Sequence, residues 1–374
     1  MMLRAIHLIA QPCARKNRPA MNVPGRFTKE EGQPMQLATT SSDRTITLKH
    51  VAALAGVSPI TVSRALNKPD TVSAKLRDKI QRAVEELGYV QNHVAGALAS
   101  AGSNVIPVVV PSLSNTVFIE VVAGIQEVAQ KAGYQLMLGN TEYDLEREYE
   151  LISTFLGWSP PGLIVAGMRH LERTRSLLKR WGKPVVETME YGAQPLDMNV
   201  GLSHYQAGEV MTRHLVERGY RQIAFVGCEL KADYRAWQRY KGMDRVLAKN
   251  ALTRRPPIAL KQASSAMLGG DALLQALTLY PELDAIFFAN DDLAVGAILR
   301  AQREGIAVPA RVAIAGFNGL GLAELVQPTL TTIVSPRLEI GRIAAQQLLD
   351  QLSGRPPRRR RVDVSFELAT RQST

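Results

Sequence analysis

Hydrophobic and polar positions fall into three regimes along this chain. Residues 1–44 mix Pro, Gly, Ser, Thr and charge with no helical or strand period, the composition of a disordered tail. From Thr47 the pattern tightens. Leu48, Val51, Ala52 and Ala55 recur at helical spacing and stop at Gly56, a residue suited to a left-handed cap. A second short helix is predicted from Pro59 to about Leu66. A third runs from Ser73 to Leu87, with Leu76, Ile80, Val84 and Leu87 on one face before Gly88.

Beyond Ser103 the texture changes. VIPVVV (105–110) reads as a buried strand, followed by a helix over 117–132 capped at Gly133. Strands at 134–138, 162–167 and 184–187 alternate with helices near 144–156 and 171–181. The second half repeats the alternation, with helices at 205–218, 235–249, 270–279 and 292–304 and strands at 222–227, 285–290 and 312–317. Such alternation predicts parallel sheets flanked by helices. So many strands suit two α/β lobes better than one wide sheet. Ligands in these sheets bind beyond the carboxyl ends of the strands, which places a site in the cleft between the lobes.

Charge sharpens the division. The net charge of +11 resolves into +4 for residues 1–44, +3 for 45–100 and +4 for 353–374, while 101–352 sums to zero. A basic N-terminal third on a neutral body points to a module that binds a polyanion. The arginine run 358–361 reads first as a solvated loop, with phosphate contact as the alternative. Cys13 and Cys228 cannot build a disulfide framework and are expected as free thiols in a reducing cytoplasm. No run of eighteen apolar residues predicts a membrane span. Arg4 and His7 interrupt the opening apolar run, so no export signal is expected and the protein is read as cytoplasmic and nucleoid-associated. His50, His93, His170, His204 and His214 lack metal-like spacing, no GxSxG occurs, and the glycines at 319–321 are too weak a dinucleotide signal. No catalytic residue, metal or cofactor is expected, and the chain is not read as an enzyme.

The stretch AGVSPITVSRALN (55–67) carries the strongest chemistry. Gly56 between two short helices, with a third following, gives a helix-turn-helix. Ser58 fits the N-cap of the second helix. Pro59 fits its first residue, where a missing N–H costs nothing. Behind them Ile60, Thr61, Ser63 and Arg64 are short or forked, suited to a helix in a DNA groove. Arg64 can pair bidentately with guanine, Ile60 can meet a thymine methyl, and the hydroxyls can bond base or phosphate.

Residues 46–100 resemble the DNA-binding module of the LacI/GalR repressor family position for position, and 104–374 resemble that family's effector-binding core. The resemblance implies an α/β chain. An N-terminal three-helix helix-turn-helix domain (45–91) and a hinge helix (92–103) would join a two-lobed, periplasmic-binding-protein-like core (104–374). The lobes would comprise 104–203 plus 335–355, and 204–334 plus 362–374. It implies that Pro59, Ile60 and Arg64 read bases. Thr47, Leu48, Ser58, Thr61, Ser63, Asn67, Val72 and Ser73 would complete the DNA contact, mostly on phosphates. Asn92, Ala95 and Leu98 fall in the hinge, where Leu98 matches a leucine that wedges into the minor groove. The partners implied are double-stranded operator DNA, a small-molecule effector and a second copy of the chain, paired through helices near 117–131 and 292–304; no membrane is involved.

Core motifs narrow the effector. RYKG (239–242) matches a family arginine, Arg239, that holds sugar hydroxyls, and FFANDDLAVGA (287–297) supplies the pair Asn290 and Asp291. In AGFNG (315–319) the family's usual aspartate is Asn318. That change either favours a carboxylate-bearing ligand by removing a negative charge or simply keeps the same hydroxyl contact. Ser112, Asn115 and Phe118 sit at a strand end and helix start. Arg169 and His170 follow another strand, as two cations able to clamp a carboxylate. Together these motifs most resemble the gluconate-operon repressor branch, so gluconate or a keto-gluconate is the expected effector. A neutral sugar or nucleobase is the alternative, and a periplasmic-type sugar-binding protein a more distant one.

Overall fold

The computed structural model describes residues 46–67, 69–89, 103–113 and 116–374. The chain divides into two compact units between Gln91 and Asn92. The tail expected over 1–44 and the hinge expected over 92–103 lie outside the described residues, apart from Ser103.

The first unit is a three-helix cluster built from local signals. Helix α1 (Leu48–Ala55) begins at Thr47, whose backbone N–H donates to His50 Nδ1 at 3.0 Å. Gly56 closes it at φ 60° and ψ 41°, a conformation open to glycine because no Cβ meets the preceding carbonyl. Helix α2 (Pro59–Asn67) starts as its sequence predicts: Ser58 Oγ accepts the Thr61 N–H at 3.1 Å. A 3-10 turn at Pro69–Thr71 leads to α3 (Ala74–Leu87), which ends at Gly88 with φ 60°. Val51, Ala52, Ala55, Val62, Ala65, Ile80 and Ala83 form the shared core.

The second unit carries two six-stranded sheets. The first takes β1 (Val105–Val110), β2 (Gln135–Asn140), β3 (Leu163–Ala166), β4 (Val185–Glu190) and β5 (Met198–Leu202), linked by α4 (Thr116–Lys131), α5 (Leu145–Leu156) and α6 (Glu172–Trp181). The second takes β6 (Ile223–Cys228), β7 (Ile258–Leu260), β8 (Ala285–Phe288), β9 (Ala313–Asn318) and β10 (Thr331–Val334). Its helices are α7 (His204–Glu217), α8 (Tyr234–Lys249), α9 (Ala266–Leu279), α10 (Asp291–Glu304) and α11 (Leu322–Leu325). The chain then returns through α12 (Arg337–Leu352) to end in β11 (Arg361–Asp363) and β12 (Glu367–Ala369).

Strand order is β2-β1-β3-β4-β5-β11 in one sheet and β7-β6-β8-β9-β10-β12 in the other. All pairings are parallel except β10 with β12. The two sheets thus repeat one winding, and in each the order reverses beside the first strand, where such folds open a binding crevice. Alternate residues of β1 serve opposite faces: Ile106, Val108 and Val110 join the core that holds Val121 and Ile340, while Val109 packs with Ile152 and Phe155.

The return segments refine the lobe boundaries read from the sequence. Helix α12 packs on α4, so residues 337–352 belong with the first lobe. Residues 362–374, assigned whole to the second lobe, are divided instead. Val362 and Asp363 pair with Val200 and Gly201 in the first sheet, whereas Glu367–Ala369 joins the second. A three-residue strand has too few positions to reveal a period, so only its partner identifies it.

Candidate DNA-reading helix and effector cleft

Helix α2 sorts its side chains by helical geometry. Val62 and Ala65 turn inward, which sends Ile60 and Arg64 to solvent, Ile60 with 70% of its surface exposed. An isoleucine so exposed beside an arginine, on a helix begun by a serine cap and a proline, is a surface built to meet something. The Ser58 and Thr61 hydroxyls lie 2.8 Å apart and already serve the helix start. Ser63 is half-buried, whereas Thr47 and Ser73 are exposed at the starts of α1 and α3. Leu48 and Val72 are half-buried against the three-helix core, so packing is the role their position assigns them. The Asn67 side chain and residues Asn92, Ala95, Leu98 and Asn115 lie outside the described residues.

In the second unit a cavity of about 800 Å³ opens at the carboxyl ends of strands from both sheets. Pro111, Ser112, Asn140, Glu142 and Tyr143 line it from the first lobe. Cys228, Glu229, Asp233, Ser264, Asn290 and Asp292 line it from the second. A smaller depression of about 170 Å³ shares Pro111, Tyr143 and Ala232 with it and adds Arg169, Lys231, Arg235 and Glu190. One side of the site is therefore acidic and amide-rich, and the adjoining side carries three cations, Arg169, Lys231 and Arg235, beside two carboxylates, Glu148 and Glu190, that are paired with His170 and Arg235.

Of the residues expected here, Ser112 and Asn290 reach the cavity wall. Asn290 is also the N-cap of α10: its Oδ1 accepts the Leu293 N–H at 3.1 Å and the Ser264 hydroxyl at 3.0 Å. Arg169 lines the smaller depression, over the Tyr234 ring at 5.8 Å. Phe118 is buried, with the Arg235 guanidinium 5.6 Å from its ring centre. It supports a cation at the wall.

Four expectations are redirected. His170 does not form a clamp with Arg169. Its ring is enclosed, with Nδ1 2.7 Å from Glu148 and Nε2 3.1 Å from Glu187. Burial opposes its charge, but the two carboxylates outweigh that and raise its pKa to about 9. Asp291 is fully buried and accepts from Thr332 Oγ1 at 2.6 Å and the Leu320 N–H at 2.7 Å. Burial lifts its pKa to about 6 against those bonds. It braces the 319–332 segment, and Asp292 lines the cavity in its place. Asn318 is 4% exposed at φ 124° and its carbonyl accepts from Arg337, so the backbone gives a reason for an Asn there: short polar residues tolerate positive φ better than most.

Arg239 lies behind the cavity wall. Its Nη1 donates to His204 Nδ1 at 2.8 Å, its Nη2 to the Ala289 carbonyl at 2.8 Å, and it stacks over Phe317 at 4.1 Å. Its Nε has no partner among the described residues. Burial lowers its pKa to about 10. His204 is held neutral by burial and by Arg239 and Arg235, so its Nε2 carries the proton, donated to the Met189 carbonyl at 2.9 Å. Close helix packing fixes this arrangement: a Cβ on Gly208 of α7 would lie 2.1 Å from the Arg239 carbonyl on α8.

The sequence reading missed Arg235, Lys231, Tyr143 and Asp292. Arg235 stands four residues before Arg239 on α8, a spacing that puts both on one helical face, and this was the available signal. It ion-pairs with Glu190 at 3.3 Å, both side chains about nine-tenths buried. Burial pushes the Tyr143 hydroxyl to about 12, and Arg235 lies 5.9 Å from its ring. Cys228 is half-buried and its thiol is pushed to about 12, chiefly by burial, so it is not a thiolate. Among the described residues no cluster of His, Cys, Asp and Glu is arranged to hold a metal. None of the described helices is long and apolar enough to cross a membrane.

Comparison with known proteins agrees with this geometry. Residues 47–92 match the model of bacterial regulatory proteins of the lacI family, and residues 212–374 match a periplasmic binding protein-like domain. The chain is 41% identical to the HTH-type transcriptional regulator GntR of Pseudomonas aeruginosa, over 88% of this chain and 95% of that one. It is 38% identical to the regulator of the same name from Escherichia coli K12, over 86% and 96%. A LacI-family transcriptional regulator from Silicibacter pomeroyi has a crystal structure that superimposes with a TM-score of 0.83 at 36% identity, covering 88% of this chain and 99% of that one. These relatives are regulators of transcription rather than enzymes. With a helix-turn-helix unit matching the lacI-family model and a two-lobed core with a cleft, the chain belongs to the LacI family of ligand-responsive transcriptional repressors.

Proposed function

We propose that this repressor binds a near-palindromic operator as a homodimer in the cytoplasm, at the nucleoid, and is released by a sugar acid, gluconate or a keto-gluconate, so controlling sugar-acid catabolism genes. The observation that carries the effector reading is the two-sided cleft. Its cations at Arg169, Lys231 and Arg235 adjoin a cavity lined by hydroxyl-binding groups such as Asn140, Asn290 and Asp292. A carboxylate at one end of a polyol suits the first set, and its hydroxyls suit the second. The identity to regulators named GntR supports the same branch.

On the DNA, Arg64 and Ile60 would meet base edges, with Thr47, Ser58, Thr61, Ser63, Asn67 and Ser73 mostly on phosphates. Leu98 would wedge into the minor groove, flanked by Asn92 and Ala95. Ile119, 53% exposed on α4, and Leu299, 42% exposed on α10, are apolar positions suited to the dimer contact. Effector in the cleft would alter the spacing of the two hinges, and by linkage DNA must weaken effector binding by the factor that effector weakens DNA binding.

The carboxylates of Glu142, Glu229, Asp233 and Asp292 around the larger cavity favour a second reading, a neutral sugar. Calorimetry with gluconate, its keto-acids, neutral sugars and nucleobases, with and without operator, decides between them. Heat with the sugar acids that shrinks when operator is present supports the proposal. Tight binding of a neutral sugar alone overturns the effector, and an effector affinity that ignores operator overturns the mechanism.

A further inference from the structure

The arginine run near the C-terminus is not absorbed by either site, and the fold gives it a location. All six strands of the first sheet are parallel, so their amino ends share one edge, opposite the effector cleft. Val105, Leu163, Val185, Met198 and Arg361 open the strands along that edge. The chain coming from the helix-turn-helix unit enters β1 there, at Val105. The carboxyl ends of α4, α6 and α12 arrive at the same edge.

The edge is strongly basic. Lys179 and Arg180 end α6, and Arg355, Arg358 and Arg359 follow α12, all exposed. None of the five has a carboxylate within ion-pair distance among the described residues, whereas Arg254, Arg255 and Arg342 elsewhere in the core each hold one. Arg360 is held by Asp197 at 2.7 Å, which anchors the run, and Gln347 ties the Arg359 carbonyl at 2.8 Å. A depression of about 320 Å³ brings Lys179, Lys183, Gln351 and Arg360 onto one surface. Pro356 and Pro357 stiffen the segment that presents Arg358 and Arg359. Helix dipoles favour cations in the last turn of α6, but they do not account for three more in the loop after α12.

We propose that this edge of the first lobe is a second DNA contact, binding phosphates of the duplex that flanks the operator through Lys179, Arg180, Arg355, Arg358 and Arg359. Exposed cations without carboxylate partners, gathered at the edge where the chain enters β1, are suited to neutralise backbone phosphates without reading sequence. The contact adds affinity and salt dependence to operator binding, and it leaves base preference to α2. It rests on the operator-binding reading.

The test uses the full-length protein and an operator it selects from a random-sequence pool, synthesised once trimmed and once with long flanks. Failure to select any sequence would count against the operator reading itself. The variant Arg355→Gln/Arg358→Gln/Arg359→Gln is compared with wild type across a salt series. On the flanked duplex it binds about tenfold or more weaker at low salt, and the slope of log affinity against log salt falls by about five for the six arginines that the dimer loses, near 0.9 per phosphate neutralised. On the trimmed duplex the two proteins bind alike. Equal binding and slope on the flanked duplex, or equal losses on both duplexes, overturns the proposal. Lys179→Gln/Arg180→Gln, on a separate element, repeats the test should the first variant misfold.

Discussion

The reading helix and the effector cleft handle charge in opposite ways. On α2, Arg64 and Ile60 face solvent, and their surroundings ask little of them beyond the helix itself. Around the cleft the buried charged groups are committed to partners within the protein: His170 to Glu148 and Glu187, Arg235 to Glu190, Asp291 to the Thr332 hydroxyl and the Leu320 N–H. The difference follows from dielectric. A cation in water needs no partner, whereas a buried one is costly unless paired. In the proposed complex DNA would bring the opposite charge to α2 from outside, whereas the buried charges of the cleft are held by partners within the protein.

The contrast breaks most visibly at Arg235. Arg235→Ala leaves Glu190 buried without its cation and should cost about 3–5 kcal/mol in urea unfolding. Arg235→Met combined with Glu190→Gln should recover the stability without recovering effector affinity. An Arg235→Ala protein as stable as wild type would show that the pair is not structural.

His170 sharpens the same point through pH. Its folded pKa of about 9 lies above the usual 6.5, so its contribution is complete below pH 6.5 and is lost as pH rises through 9. Wild-type Tm should therefore fall by several degrees between those values, and His170→Gln should flatten that fall. A parallel decline in both proteins would assign the pH dependence elsewhere.

At the exposed helix the effects are smaller and leave the fold intact. Arg64→Ala should lose about 1–3 kcal/mol of discrimination at a single base pair with no change in Tm, read by titrating operator variants. Ser58→Ala removes the cap of α2 and should lower stability by about 1 kcal/mol. Ser58→Thr, which keeps the hydroxyl, should cost much less than Ser58→Ala, and equal losses in the two would mean that the serine acts through something other than its hydroxyl.

How much of this was legible follows the range of the interactions. The helix-turn-helix was readable because each of its signals is local: Ser58 bonds Thr61 three residues on, Thr47 bonds His50, and Gly56 acts at its own φ. The alternation of strand and helix in the core was readable for the same reason, since a period of two or 3.6 needs only neighbours. Terminal strands β11 and β12 were not, because three residues carry no period and their sheets are chosen by partners far back in the chain.

For the cleft, the sequence by itself determined the inventory: which turns follow which strands, and that Asn290, Asp291 and Arg169 stand at those ends. Only the tertiary structure decided which of them face the cavity. Asp291 and Asp292 are adjacent on α10, and the Leu320 N–H together with Thr332 of β10 claims the first and leaves the second to the wall. Glu148 and Glu187, 22 and 17 residues away, likewise claim His170. Local order sets what a side chain can do, but a buried charge goes to the partner that packing brings within about 3 Å, and that partner is fixed by the fold of the whole lobe.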